Sequence, residues 1–169
     1  MATRQNLIKI FEYALNQEKT GKSFFEVSVA RMGIGAAVTA FQRLIVEEQK
    51  HIEFIDRILA DLHAKTEPDL ERIEAAVLQP TNYFDQRAES EFLQQCVEGS
   101  MIPDVTVFNT AWLIEKDLSE FYARMAARTE GQARKALEML SRWEKSHELF
   151  FRQYRDKLDA VYASMPWGG

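Results

Sequence analysis

The chain has one cysteine, three histidines and no extended apolar run. A lone Cys96 cannot close an internal disulfide, and it leaves no pair for a zinc ribbon or a dithiol redox motif, so it reads as a buried or inert thiol. No stretch approaches the ~20 apolar residues that a membrane span needs. The start, Met1 to Asn6, lacks the basic segment and apolar core of a secretory signal. A cytoplasmic protein with no membrane contact is therefore expected. Positive charge is also short: a net charge of −5 and a pI near 5.3 argue against nucleic acid as a partner. The late basic residues Arg142, Lys145, Arg152, Arg155 and Lys157 alternate with apolar ones and read as a solvated helix face.

What is present is material for one all-α domain spanning 1–169, with 46% hydrophobic and 28% charged residues and length enough for a core without staples. The periodicity predicts a first helix from an N-cap at Thr3 to about Met32, broken by Gly33-Ile34-Gly35. Its apolar stripe is Leu7, Phe11, Ala14, Gly21, Phe25 and Val29, interrupted by Glu18. A second helix is expected from about Ala36 to about His63, on a stripe that includes Phe41, Leu44, Glu48, His51, Ile55 and Ile58. Between Lys65 and Ser100 the pattern weakens around Pro68 and Pro80, with short helical pieces expected near 69–78 and 85–97. This segment is too long for a turn and suits a crossover from one end of a bundle to the other. A third helix is expected from Pro103 to about Arg128, on Phe108, Ala111, Glu115, Leu118, Tyr122 and Met125. After a break and capping box at Thr129-Glu130-Gly131-Gln132, a fourth should run to about Val161, on Leu137, Leu140, Glu144, His147, Phe151 and Tyr154. The tail, Ser164 to Gly169, reads as irregular, with Trp167 a candidate partner contact.

Two of the three histidines follow a glutamate by three positions, in Glu48-Gln49-Lys50-His51 and Glu144-Lys145-Ser146-His147. On a helix each pair points one way. One such pair is a weak signal, but these two have further glutamates at matching distances. Glu18 stands 30 residues before Glu48, and Glu115 stands 29 before Glu144. Laying Glu18 on Glu115 also aligns Phe11 with Phe108, Ala14 with Ala111, Phe24 with Phe121, and Phe25 with Tyr122. Laying Glu48 on Glu144 aligns Leu44 with Leu140 and Phe54 with Phe150. The chain thus contains one helix pair twice. Glu18 and Glu48 both lie ~20 Å from the turn between their helices at 1.5 Å per residue, so they meet at one height. The neighbouring Glu47, Glu53 and Glu148 fall off the stripes and read as solvated. Tyr122 lies on its stripe and reads as core packing.

Four carboxylates inside an apolar bundle each cost several kcal/mol unless they are neutralised or hydrogen-bonded. Two divalent cations supply four positive charges against them, with two neutral imidazoles completing the set. Oxygen and imidazole donors without thiolate suit iron, with manganese as the alternative. A Glu from each of two helices with Glu-x-x-His from each of the other two resembles the ferritin-like di-iron carboxylate superfamily, and within it the rubrerythrins.

The resemblance covers all four long helices. It implies a ferritin-like four-helix bundle with a long crossover between the second and third helices. Two iron ions would be held by Glu18, Glu48, His51, Glu115, Glu144 and His147; which carboxylates bridge is left open. It also lets Tyr122 hydrogen-bond a ligating carboxylate. The activity implied is oxidation of a ferrous pair with reduction of peroxide or O₂, as part of an oxidative-stress response, and related bundles self-associate, so a homo-oligomer is expected. Leu118 stands where rubrerythrins carry an added glutamate, and no four-cysteine rubredoxin-like module is found, so a separate donor protein would supply electrons. The alternatives are a ferroxidase or iron-handling protein, a metal-stabilised binding module without turnover, and hydroxylation of an organic substrate, which needs an access cavity.

Overall fold

The computed structural model describes residues 2–32, 36–77 and 104–164. In α1 (Arg4–Val29) the Thr3 side chain accepts from Asn6 N at 3.2 Å, filling one of the donor positions every helix start leaves open. Regular helix stops short of Met32, where the backbone closes into turns. Next come α2 (Ala36–His63) and the short α3 (Leu70–Ala76), which Asp69 caps by accepting from Arg72 N at 3.1 Å. The Arg72 guanidinium also reaches both carboxylate oxygens of Asp61 at 2.7 Å, tying α3 to α2. The second pair is α4 (Asp104–Ala126) and α5 (Gly131–Ser164). No strand occurs among the described residues. The Gly33-Ile34-Gly35 break, the expected helix at 85–97, Cys96, the Pro103 start and the tail beyond Ser164 lie outside them.

Two expectations at the helix ends are corrected. The Thr129 hydroxyl donates back to Met125 O at 3.2 Å, so it closes α4 instead of forming a box that opens α5. The chain turns at Gly131, whose φ of +63° is the left-handed conformation that favours glycine. At the far end α5 continues through Ser164, past the Val161 limit read from its stripe.

Arg4 Nη2 donates to Lys65 O at 3.1 Å, so the start of α1 lies beside the end of α2. A hollow of about 210 Å³ shared by Arg4, Leu62, Glu67, Glu130 and Ala133 puts the α4–α5 turn at that same end. The first and second helices are therefore antiparallel, and α2 and α4 run parallel, as the long crossover requires. Backbones approach within 8 Å along α1 against α2 and along α4 against α5, and much more sparsely between the two hairpins. Small side chains permit the close pairs: Ser119 Oγ donates to Ser141 O at 3.2 Å, and Ser141 Oγ to Ser119 O at 3.0 Å. The wider separation between hairpins is filled by long side chains.

The core divides into two apolar clusters. One gathers Phe11, Phe54, Ile55, Ile58, Leu62, Tyr122 and Leu137 near the α4–α5 turn. The other holds Phe25, Phe41, Phe108, Phe150, Phe151 and Tyr154, with Phe41 edge-on to Phe108 at 5.2 Å and to Phe151 at 5.3 Å. Repeat-equivalent residues fall in opposite clusters, Phe11 against Phe108 and Phe54 against Phe150. The repeat is thus related by a pseudo-two-fold axis crossing the bundle at mid-height. There, between the clusters, the apolar stripes are interrupted.

Candidate metal centre

All six residues singled out by the repeat converge at this level, one glutamate each from α1 and α4 and a Glu-x-x-His pair each from α2 and α5. Glu18, Glu48, His51, Glu115 and Glu144 are wholly buried and His147 is 3% exposed. His63, the histidine without a glutamate three residues before it, is exposed on the surface.

Both imidazoles turn Nδ1 toward the carboxylates. His51 Nδ1 lies 2.6 Å from Glu144 Oε1, 3.5 Å from Glu18 Oε2 and 3.9 Å from Glu48 Oε1. His147 Nδ1 lies 3.3 Å from Glu48 Oε1, 3.3 Å from Glu115 Oε2 and 3.5 Å from Glu144 Oε2. These are close approaches without the alignment of hydrogen bonds. Both oxygens of Glu48, Glu115 and Glu144, Glu18 Oε2 and both ring nitrogens of His51 are buried with no hydrogen-bond partner among the described residues. Buried polar atoms are almost always paired, and so many orphans aimed at common points are the donor arrangement of a metal site. They form two sets whose ligand atoms lie within 4.8 Å of one another: Glu18, Glu48, His51 and Glu144, and Glu48, Glu115, Glu144 and His147. Glu48 and Glu144 belong to both, a sharing that sequence spacing left open.

The electrostatics show the same strain. Burial, then the Glu144 and Glu48 carboxylates, push Glu18 well above the usual carboxylate range; burial, then Glu48 and Glu144, do the same to Glu115. Burial alone lowers an imidazole, but the carboxylates around His51 and His147 reverse this and raise both. For Glu144, burial is outweighed by His51 and His147, which hold its carboxyl well below the usual range. Without cations the cluster can balance itself only by sharing protons.

Tyr122 OH donates to Glu18 Oε1, so the phenol on α4 holds the carboxylate on α1. Its repeat mate Phe25 has no hydroxyl, and neither oxygen of Glu115 receives such a bond. Trp143 is a residue the sequence reading missed: its ring stacks on His51 at 5.2 Å and 12°, and it meets Phe54 edge-on at 5.1 Å. The available signal was its position one turn before His147. Glu53 is solvated as expected, but the same reading of Glu47 and Glu148 is corrected, since each is 2% exposed. Glu148 is covered by Trp112, whose Nε1 donates at 3.4 Å, and is paired with Lys145; Glu47 pairs with Lys50 at 3.1 Å.

Four helices of this connectivity around a buried carboxylate–imidazole cluster define the ferritin-like class of bundles. The rubrerythrin family model matches residues 9–155, which takes in α2 and α4 whole, most of α1 and α5, and every residue of the cluster. The chain belongs to the rubrerythrin family. No curated protein and no solved structure matches it.

Proposed function

We propose that this protein is a di-iron oxidoreductase of rubrerythrin type that reduces hydrogen peroxide or dioxygen, with electrons drawn from a separate donor protein. The observation that carries this reading is the convergence of buried carboxylate oxygens and imidazole nitrogens into two overlapping four-residue sets. Glu48 and Glu144, common to both sets, would be shared between two metals, Glu18 and Glu115 would each serve one, and His51 and His147, which turn Nδ1 toward the carboxylates, would each hold one. Oxygen and nitrogen donors without thiolate suit iron, and manganese is the alternative.

A bound ferrous pair supplies the two electrons that, with two protons, turn peroxide into two waters. The chain's own groups hold and insulate that chemistry. Tyr122 fixes one oxygen of Glu18 and leaves Oε2 facing His51. Glu48, Glu115 and Glu144 accept no hydrogen bond among the described residues, so both oxygens of each would be available to a bound metal. The phenylalanines of both clusters keep water away, which strengthens every electrostatic interaction inside.

The test is anaerobic loading with ferrous iron, followed by separate mixing with peroxide and with O₂. Two irons per chain and stoichiometric oxidation are expected, faster with one oxidant. Two bound irons inert to both oxidants overturn the proposal. Continued iron uptake beyond two per chain would instead indicate an iron-storing protein.

A further inference from the structure

A cavity of about 530 Å³ lies between α1 and α4, lined by residues that flank Glu18 and Glu115 in the chain. Its lining follows the repeat: Thr20 is equivalent to Asp117, Gly21 to Leu118, and Phe24 to Phe121. Of these, Gly21 and Leu118 alone also lie on the inward stripes, each one helical turn after a cluster glutamate, Glu18 or Glu115. Both are buried and both line the cavity.

Gly21 has no packing reason to be glycine. It lies inside a helix, where glycine is less favourable than alanine by ~1 kcal/mol. Its φ is not positive, and an added Cβ would meet Ile114 Cγ2 at 3.5 Å and Phe25 Cε2 at 3.9 Å, ordinary van der Waals contact. The missing side chain leaves the cavity wall open at a position one helical turn after Glu18. Across from it, an apolar Leu118 stands where the resemblance to rubrerythrins leads one to expect a carboxylate. Neither this cavity nor a larger hollow of about 870 Å³ beside α3 is lined by a cluster residue, but Gln17 and Ile114 of this one adjoin Glu18 and Glu115 in the chain, whereas nothing lining the larger hollow adjoins a glutamate of α1 or α4.

We propose that the α1–α4 cavity is the route by which small neutral molecules reach the cluster, with Gly21 and Leu118 as its size-determining constriction. This rests on the oxidoreductase reading and narrows it to the class of molecule admitted. The lining that flanks the cluster glutamates in the chain is Gln17, Gly21, Ile114 and Leu118, without a charged group, and the rings of Phe24 and Phe121 line it as well. Peroxide and dioxygen are neutral and pass such a wall; a hydrated ferrous ion would have to shed its water there against a large desolvation cost. Asp117 and Arg124 at the cavity carry opposite charges, so its lining has no net charge to draw in ions of one sign.

Xenon, a small apolar probe, tests the route in metal-free crystals under pressure, independently of any activity. It should occupy the cavity beside Gly21 and Leu118 in the parent protein and be lost in Gly21→Leu. In iron-loaded protein, Gly21→Leu should slow oxidation by hydrogen peroxide by about tenfold or more. Leu118→Ala should raise the rate with tert-butyl hydroperoxide relative to hydrogen peroxide, a change of ratio that damage to the fold does not mimic. Gly21→Ala should melt no lower than the parent, which separates packing from passage. Absence of xenon from the parent cavity, or rates and ratio unmoved in both size variants, overturns the route. Xenon bound and displaced as described in a protein inert to both oxidants would leave the route standing and remove the oxidoreductase reading.

Discussion

The phenol of Tyr122 donates to Glu18, joining α4 to α1 at the edge of the cluster, and among the described residues nothing equivalent reaches Glu115. The two ligand sets are therefore unequal although the backbone repeat makes them nearly symmetric. Tyr122→Phe keeps the ring and removes only the hydroxyl. Such supporting bonds are typically worth about 10–100-fold in metal affinity. The loss should fall on the metal bound by Glu18 and His51 and spare the other, so competition with a chelator should change from near-equal to clearly two-step release. Equal weakening of both metals would refute the asymmetry.

The sharing of Glu48 and Glu144 sets a different expectation for the carboxylates. Glu48→Gln or Glu144→Gln removes a ligand from both sets, and metal content should fall to well under one ion per chain. Glu18→Gln or Glu115→Gln touches one set each and should leave close to one. Elemental analysis of the four purified variants makes the comparison. A full single equivalent in the Glu48 variant would contradict its bridging position.

Removal of metal should destabilise the fold, because the cluster is left with mutually repelling buried carboxylates. A ligand held at 100 times its dissociation constant contributes about 2.7 kcal/mol, and each kcal/mol moves the melting temperature of a domain this size by about 2–4 °C. A fall of roughly 5–10 °C on chelation is expected by calorimetry. An unchanged transition would mean that the bundle does not depend on the ions.

The metal-free protein should also respond to pH in a direction opposite to the loaded one. Glu18 and Glu115 have raised pKa values when folded, so the folded state holds extra protons above the ordinary 4.5 and loses that stabilisation as pH rises through the folded values. His51 and His147 are raised above 6.5, and their contribution is likewise present below that value and lost above it. Glu144 is lowered and opposes them only as pH falls below 4.5. Metal-free protein should thus be most stable in mild acid. Metal competes with those protons, so loaded protein gains as they leave. The melting-temperature loss on chelation should be larger at about pH 8 than at about pH 6. A loss that shrinks with rising pH would reverse this account.

Much of this centre was legible because its information is local. Glu18, Glu48, His51, Glu115, Glu144 and His147 stand out because each interrupts an apolar stripe, and a stripe depends only on 3.6-residue periodicity. The short α3 was expected between the breakers Pro68 and Pro80 for the same reason, while its Asp69 cap came from the structure. Glu47 and Glu148 were misplaced because being one residue off a stripe does not say whether a neighbouring helix, a tryptophan or a lysine stem will cover that flank. Trp143 escaped because stacking on His51 depends on a contact between α5 and α2.

The sequence by itself determined the four helices, the face of each, and the six residues that meet at mid-height, since these follow from spacing along a chain of fixed rise and pitch. Only the tertiary structure decided that Glu48 and Glu144 are shared while Glu18 and Glu115 are not, that one carboxylate is held by a phenol, and that a cavity opens at Gly21. These depend on how far apart the two hairpins stand and how each helix is rotated about its axis, which is set by the packing of both clusters at once and by no single segment.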